Sequence, residues 1–374
     1  MTPRERLFAA LRGQPADHIP VWLLFPYHST GYYVDVRKHP GYRRIADLAE
    51  RHAITLNRRN LRLKWGTGDV VEKWQALDNA DEKIVRHTVT CRGTTLWSER
   101  GTRKGELVNK KLLDSPEDFE AICDMPVETD EKVIYAALDA QAAQYEKEKS
   151  EFPAHLGSMM LDLGEPIHLI YHSANLEELS IASFYEESRA RIAAFLGRLQ
   201  EQKKIVYQYT LERKMADVYF LVGSELAAPP MVGLETFRRW IVPFAKDLID
   251  QIHDANSFAI QHFHGFIKKL LPDFVEMGAD AVHTIEAPPV GDCTLSEAFD
   301  AVGSNMTLIG NIQYDDFRRF TPMQMKQAVT DLLDEAGDRR FILSPTAGPF
   351  DENVSEQFLE NYVVLMETAW NYAR

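Results

Sequence analysis

The chain has 374 residues, 45% of them hydrophobic and 26% charged, with a formal net charge of −14. That charge and the lack of any dense Lys/Arg run speak against a nucleic-acid partner, and the apolar runs fall well short of the roughly 18 to 20 residues that span a bilayer, so no membrane segment is expected. Cys91, Cys123 and Cys293 are widely spaced and contain no CxxC pair, which is not a disulfide framework and predicts reduced thiols.

In chain order, Thr2 and Glu5 are spaced as a capping box that opens a helix over 2–12. This is a helix start and not a charged segment leading into a signal core, which predicts a cytoplasmic protein. Ile19-Pro20-Val21-Trp22-Leu23-Leu24 reads as a strand, with a weaker one near Ile54-Thr55-Leu56. Between about 66 and 112 the pattern changes to period two broken by glycines, in Thr88-Val89-Thr90-Cys91, Gly93-Thr94-Thr95-Leu96-Trp97-Ser98-Glu99 and Gly105-Glu106-Leu107-Val108. This predicts a β-hairpin insertion. Ser115-Pro116-Glu117-Asp118-Phe119 caps a short helix, and a charged helix covers about 130–150. Strands follow at 155–161 and 216–222, separated by a long helix of about 182–213.

From Ser257 onward, strands at 257–262, 281–285, 306–310 and 340–344 alternate with helices near 266–277, 294–302, 321–336 and 354–372, the third opened by Thr321 and Pro322. Eight strands with intervening helices imply a parallel sheet. They close most naturally as a (β/α)8 TIM barrel, read here as a single domain over 1–374 with the 66–112 insertion inside it. A doubly wound open sheet would want a Gly-rich phosphate turn, and none is found.

His262-Phe263-His264-Gly265 ends one of these strands. Residues two apart share a face, so both imidazoles are expected at the C-terminal mouth, where barrel enzymes keep their sites. The pair reads equally as metal ligands or as neutral, hydrogen-bonded pocket histidines. Other candidates ring the same mouth. Glu225 sits past the strand 216–222, with a solvated loop carboxylate as the plain alternative. Asp162 and Glu165 follow the strand 155–161, with capping as the alternative for Asp162. His283 and Glu286 end the strand 281–285, and either completes the histidine set unless His283 is simply a core residue. Cys293 precedes a helix start at Thr294 that would lower its pKa, though a small buried cysteine is the simpler reading. Asn311 and Gln313 offer amide hydrogen bonds to a substrate oxygen or stabilise a turn. Tyr27, His28, Tyr32, Tyr33 and Trp65 gather near the first two strand ends, as an aromatic rim for a flat apolar ligand or as core filling.

With these elements in place, the chain resembles the uroporphyrinogen decarboxylase superfamily, which includes corrinoid-linked methyltransferases. The carriers are Thr2-Pro3-Arg4-Glu5-Arg6 with Pro15-Ala16-Asp17-His18-Ile19-Pro20-Val21-Trp22, then Leu271-Pro272-Asp273-Phe274-Val275-Glu276-Met277-Gly278-Ala279-Asp280, Leu308-Ile309-Gly310-Asn311-Ile312 and Phe341-Ile342-Leu343-Ser344. True decarboxylases carry an arginine-containing segment after the first strand that grips substrate carboxylates. Here Phe25-Pro26-Tyr27-His28-Ser29-Thr30-Gly31-Tyr32-Tyr33 has no arginine, which disfavours an octacarboxylate porphyrinogen. The methyltransferase relatives hold zinc with a His-x-Cys pair on the strand of His262 and a Cys on the last strand. His264 stands in place of the first cysteine, and Ser344-Pro345-Thr346-Ala347-Gly348-Pro349 lacks the second.

What the resemblance implies is a methyltransferase of the demethylase type. It would move a methyl group from a small O- or N-methylated compound, such as a methoxy-aromatic, to a corrinoid on a partner protein. Glu225, His264 and Asp162 would be catalytic, and Tyr27, His28, Tyr32, Trp65, Asn311 and Gln313 would bind substrate. If zinc is used, its ligands would come from His262, His264, Glu225, His283 and Cys293, with nitrogen and oxygen donors replacing thiolates. A homodimer is the assembly allowed for. The competing expectation is a decarboxylase or related lyase acting on a small carboxylic acid, and a barrel that only binds a ligand or partner is a third.

Overall fold

The computed structural model describes residues 1–372. Seven parallel strands form one sheet: β1 (Thr55–Arg59), then, past four strands of a separate sheet, β6 (Gly157–Asp162), β7 (Val218–Leu221), β8 (Phe258–His262), β9 (Ala281–His283), β10 (Thr307–Ile312) and β11 (Phe341–Pro345). The eighth position is filled by a short segment. Val21 bridges Leu343 of β11 and Trp22 bridges Ile54 beside β1, both in parallel, through Trp22 N–H to Leu343 O at 2.8 Å and Ile54 N–H to Val21 O at 2.8 Å. The sheet therefore closes on itself, as the eight-strand reading requires.

The interior is filled by Trp22, Leu24, Ile54, Leu56, Met160, Val218, Phe220, Ile260, Ala281, Ile309 and Ile342, and the helix Pro3–Leu11 plugs its N-terminal end with Leu7, Phe8 and Leu11. That helix starts where the sequence says it should, because the Thr2 side chain and the Glu5 side chain cap each other's backbone N–H groups, an arrangement worth on the order of 1 kcal/mol. Thr321 with Gln324 and Thr294 with Glu297 repeat the device. The second, larger core lies between the outer faces of the strands and the helices.

Two readings are refined. The insertion is a four-stranded antiparallel meander, β2 (Val71–Asp78), β3 (Glu82–Cys91), β4 (Thr94–Arg103) and β5 (Glu106–Lys110), fuller than a hairpin. β2 escapes notice because it is exposed almost throughout and so shows no apolar period. The inner end of the meander packs Val89, Cys91 and Leu96 into the outer core. The long helix near 182–213 is two helices, Leu176–Phe184 and Glu186–Glu212, broken at Tyr185, whose ψ of 132 is extended. Among the described residues no helix is long and apolar enough to cross a membrane, and the three cysteines are free and buried.

Candidate active site

Alternation along each strand sets what reaches the C-terminal mouth. Continuing inward from Leu56, Met160, Ile260 and Ala281 of the interior core, the next inward positions are Arg58, Asp162, His262 and His283. Arg58 is the residue that sequence reasoning missed. Its signal was present, two residues beyond an apolar strand residue, but the strand was read as ending at Leu56.

Arg58 donates through Nε at 2.8 Å and through its Nη2 at 2.6 Å to a single oxygen of Asp162, and each side chain is only 14% exposed. The guanidinium carbon lies 5.3 Å from the Tyr32 ring centroid and 5.0 Å from that of Phe220, so the cation rests against two aromatic rings. Burial raises the carboxyl pKa of Asp162 above its ordinary value, against the pull of Arg58. Asp162 does not cap a helix. Beneath this pair, Glu165 is fully buried and accepts from Ser224 Oγ at 2.6 Å and Gln261 Nε2 at 2.9 Å, which ties the ends of β6, β7 and β8 together. Burial raises its pKa.

On the opposite wall, His262 and His283 stack with ring centroids 5.0 Å apart and Nδ1 atoms 2.9 Å apart, and His283 Nε2 lies 3.1 Å from the Pro345 carbonyl oxygen. Burial drives both pKa values down, His283 to about 3 and His262 well below the usual histidine range, with the neighbouring histidine and Arg58 charges adding to the effect on His262. They are neutral hydrogen-bonded histidines.

His264 differs. Its side chain is 41% exposed, and its Nδ1 lies 3.3 Å from Oε1 of Glu286, which is 7% exposed. The other Glu286 oxygen accepts from Gly265 N–H at 2.7 Å. Burial opposes protonation of His264, but the Glu286 hydrogen bond and charge, with the field of Glu225, outweigh it and hold the pKa above the ordinary histidine value. Burial likewise works against ionised Glu286, yet His264 and the Gly265 amide keep its pKa low. Glu225 follows β7 and accepts from Gly223 N–H at 2.8 Å. Its charge is felt by both Asp162 and His264.

The remaining expected residues separate into those near the mouth and those outside it. Tyr32 lies over Arg58, with Tyr33 at 4.5 Å and Phe350 5.2 Å beyond Tyr33. Tyr27 instead packs on Phe152 under the Arg37 guanidinium. His28 is latched outside the barrel by Asn57 at 3.1 Å and Glu151 at 3.4 Å, and Trp65 is buried against Phe195 in the helical layer. Asn311 is half-buried one residue before the end of β10, and Gln313 accepts from Thr346 Oγ1 at 3.2 Å while its Nε2 is sealed without a partner. Cys293 donates to Thr294 O at 3.3 Å, and burial pushes its thiol up to about 12, as the simpler reading of a small buried cysteine has it.

The expected zinc set is not assembled. Among the described residues no group of three or more His, Cys, Asp or Glu side chains is arranged to hold a metal ion. The Nδ1 atoms of His262 and His283 face each other and Nδ1 of His264 is committed to Glu286, so the ring nitrogen that His262 and His264 each leave uncommitted is Nε2.

Residues 203–366 match the family described as Uroporphyrinogen decarboxylase (URO-D), so the resemblance read from the sequence holds over that stretch. No curated protein matches the chain. Among solved structures, a methyltransferase from Methanosarcina mazei shares the fold with a TM-score of 0.62 at 15% identity, over 99% of this chain and 98% of that one. A B12-independent methionine synthase from Shewanella sp. W3-18-1 overlaps with a TM-score of 0.44 at 12% identity, over 94% and 95%.

Proposed function

We propose that the protein is a methyltransferase that takes a methyl group from a small O- or N-methylated compound, a methoxy-aromatic above all, and passes it to a corrinoid carried by a partner protein. The observation that carries this reading is a half-exposed histidine, His264, backed by a buried carboxylate, Glu286, at a mouth that also presents the exposed Tyr32 ring. The match to the uroporphyrinogen decarboxylase family over 203–366 and the fold shared with a methyltransferase support it.

A docked, reduced corrinoid supplies the nucleophile that accepts the methyl group. The residues of this chain handle the other side of the broken bond. Demethylating an ether or amine leaves charge on a heteroatom that departs poorly, and a positioned acid lowers that barrier by a factor of about 10² to 10⁴. His264, whose protonated form Glu286 favours, donates the proton to the leaving atom. The exposed Tyr32 ring, held over Arg58, offers a face to the aromatic portion, while the Arg58–Asp162 pair fixes the wall beneath it. Glu225 strengthens the field that keeps His264 charged. The whole chain acting as one domain around the 66–112 insertion, a cytoplasmic setting and a homodimer belong to the same proposal.

The test is to incubate the protein with a reduced corrinoid protein and a panel of methoxy-aromatic, methylamine and methanol donors. Demethylated product measured by chromatography, together with a change in corrinoid absorbance, is the expected result. Carbon dioxide release from a small carboxylic acid without any demethylation would replace this reading by the decarboxylase one. A specific observation favours that second reading: Arg58 brings a guanidinium to the mouth after all, and its remaining contact, to Tyr33 Oη at 3.5 Å, is long enough to be given up to a carboxylate.

A further inference from the structure

The backbone polarity of β2 follows from the turn that joins it to β3. Asn79 N–H donates to Glu82 O at 2.9 Å, and the pairing runs on without a bulge from Asp78 opposite Lys83 to Val71 opposite Thr90. In an antiparallel pair, alternate residues turn their backbone groups to opposite sides of the strand. The odd-numbered residues from Asn79 back to Val71 therefore bond to β3, and the N–H and C=O groups of Glu72, Trp74, Ala76 and Asp78 point outward, where the sheet ends. This edge is eight residues long, has neither proline nor bulge, and exposes Val71 at 58% and Trp74 at 66%. Such a strand is a template for pairing with another chain. The Trp74 ring is stacked flat on His87 of β3, centroids 3.9 Å apart at 7°, so it is held over the sheet and leaves the edge free for a close backbone approach.

We propose that the outer edge of β2 pairs antiparallel with the same edge of a second copy of this chain, joining two four-stranded meanders into one continuous sheet. Outward groups must meet outward groups, so even-numbered residues face even-numbered ones and the two-fold axis passes through a residue of β2. An axis at Lys73 sets that ammonium against itself, and one at Gln75 sets Glu72 against Asp78 on both sides, oppositions of like charge that destabilise a sheet. Axes further toward either end leave much of the strand unpaired. An axis at Trp74 opposes no like charges. Glu72 then exchanges both backbone bonds with Ala76 of the second copy, and Trp74 does so with its counterpart, for about six bonds in all. On the other face, Val71 meets Leu77 of the second copy at both ends. The pairing is isologous and closes as a dimer, whereas β2 pairing with β5 of a further copy would run on as an open chain. This interface belongs to the homodimer put forward above and depends on nothing in the methyl-transfer reading, so demethylation assays neither support nor overturn it.

A single strand edge is a small interface, and small interfaces associate weakly, so sedimentation velocity over rising protein concentration should show monomer passing to dimer with no larger species. Ala76→Pro removes an outward N–H and spares the bonds to β3, and it should weaken association by on the order of tenfold or more with the circular dichroism unchanged. Single cysteines read the register, since the native thiols are buried. A hydrogen-bonded antiparallel pair holds its Cα atoms about 5.5 Å apart, within disulfide reach. Trp74→Cys should therefore cross-link to a covalent dimer under mild oxidation, while Lys73→Cys and Gln75→Cys, which stand opposite each other's positions and not their own, should not. A monomer at every concentration overturns both this interface and the homodimer. A dimer indifferent to Ala76→Pro, open-ended assembly, or cross-linking through Lys73→Cys or Gln75→Cys in preference to Trp74→Cys overturns the interface alone.

Discussion

The mouth holds two ion pairs that look alike in composition and differ in burial. Arg58 and Asp162 are both 14% exposed, whereas in the other pair Glu286 is 7% exposed and His264 41%. A pair sealed at both ends has its charges committed to each other, so its removal is felt by the fold. A pair sealed at one end keeps a titrating group that can still meet a substrate, so its removal is felt by the chemistry. The barrel places architecture on the β1–β6 side and proton transfer on the β8–β9 side.

The largest expected effect would break this contrast most directly. Asp162→Ala leaves Arg58 buried without a partner and should destabilise the protein by about 3 to 5 kcal/mol, read from urea melts. The double variant Arg58→Met, Asp162→Leu should recover most of that loss, since an apolar pair carries no unpaired charge. Next, His264→Gln should lower turnover by roughly a hundredfold or more with little change in melting temperature. An equal loss of stability in both variants would erase the distinction between the two pairs.

A third experiment sharpens it through pH. The raised pKa of His264 means that its ion pair stabilises fully below the ordinary histidine pKa and is lost as pH climbs through the raised value. Glu286, with its lowered pKa, contributes above the ordinary glutamate value and loses this as pH falls through the lowered one. Activity that needs protonated His264 should therefore fall on the alkaline side, and Glu286→Gln should move that limb to lower pH. The smallest effect is expected from Glu225→Gln, a nearly isosteric change that keeps an acceptor for Gly223 N–H and weakens only the field on His264. A few-fold slowing with the fold unchanged is the outcome, measured as turnover beside a thermal melt.

Much of the framework could be read from sequence because its signals are local. Thr321-Pro322, Thr294 and Thr2 announced helix starts with their own side chains, and the buried strands β8 and β10 stood out as short apolar runs. The site was legible where strand parity sufficed: it brought His262 and His283 to one wall and Asp162 to the other. It was not legible where long-range packing decides. Nothing local in Trp65 tells that Phe195, far along the chain, covers it, or in His28 that Glu151 holds it outside the barrel. Cys293 shows the same limit, because a helix start argues for an activated thiol only until burial is known, and here burial prevails.

Going round the barrel from the 21–22 segment, β1, β6, β7, β8, β9, β10 and β11 follow in turn, so β8 stands four places from that segment in either direction. The segment itself is stitched to each neighbour by a single bridge, whereas adjoining strands elsewhere share three or more registered positions. The ring accordingly has a seam, and the amides of Trp22, Ile54 and Leu343 are the ones deuterium should reach first when the barrel breathes. The seam lies across the ring from His262, and from it the Trp22 ring reaches to within 5.2 Å of the His283 ring, centroid to centroid.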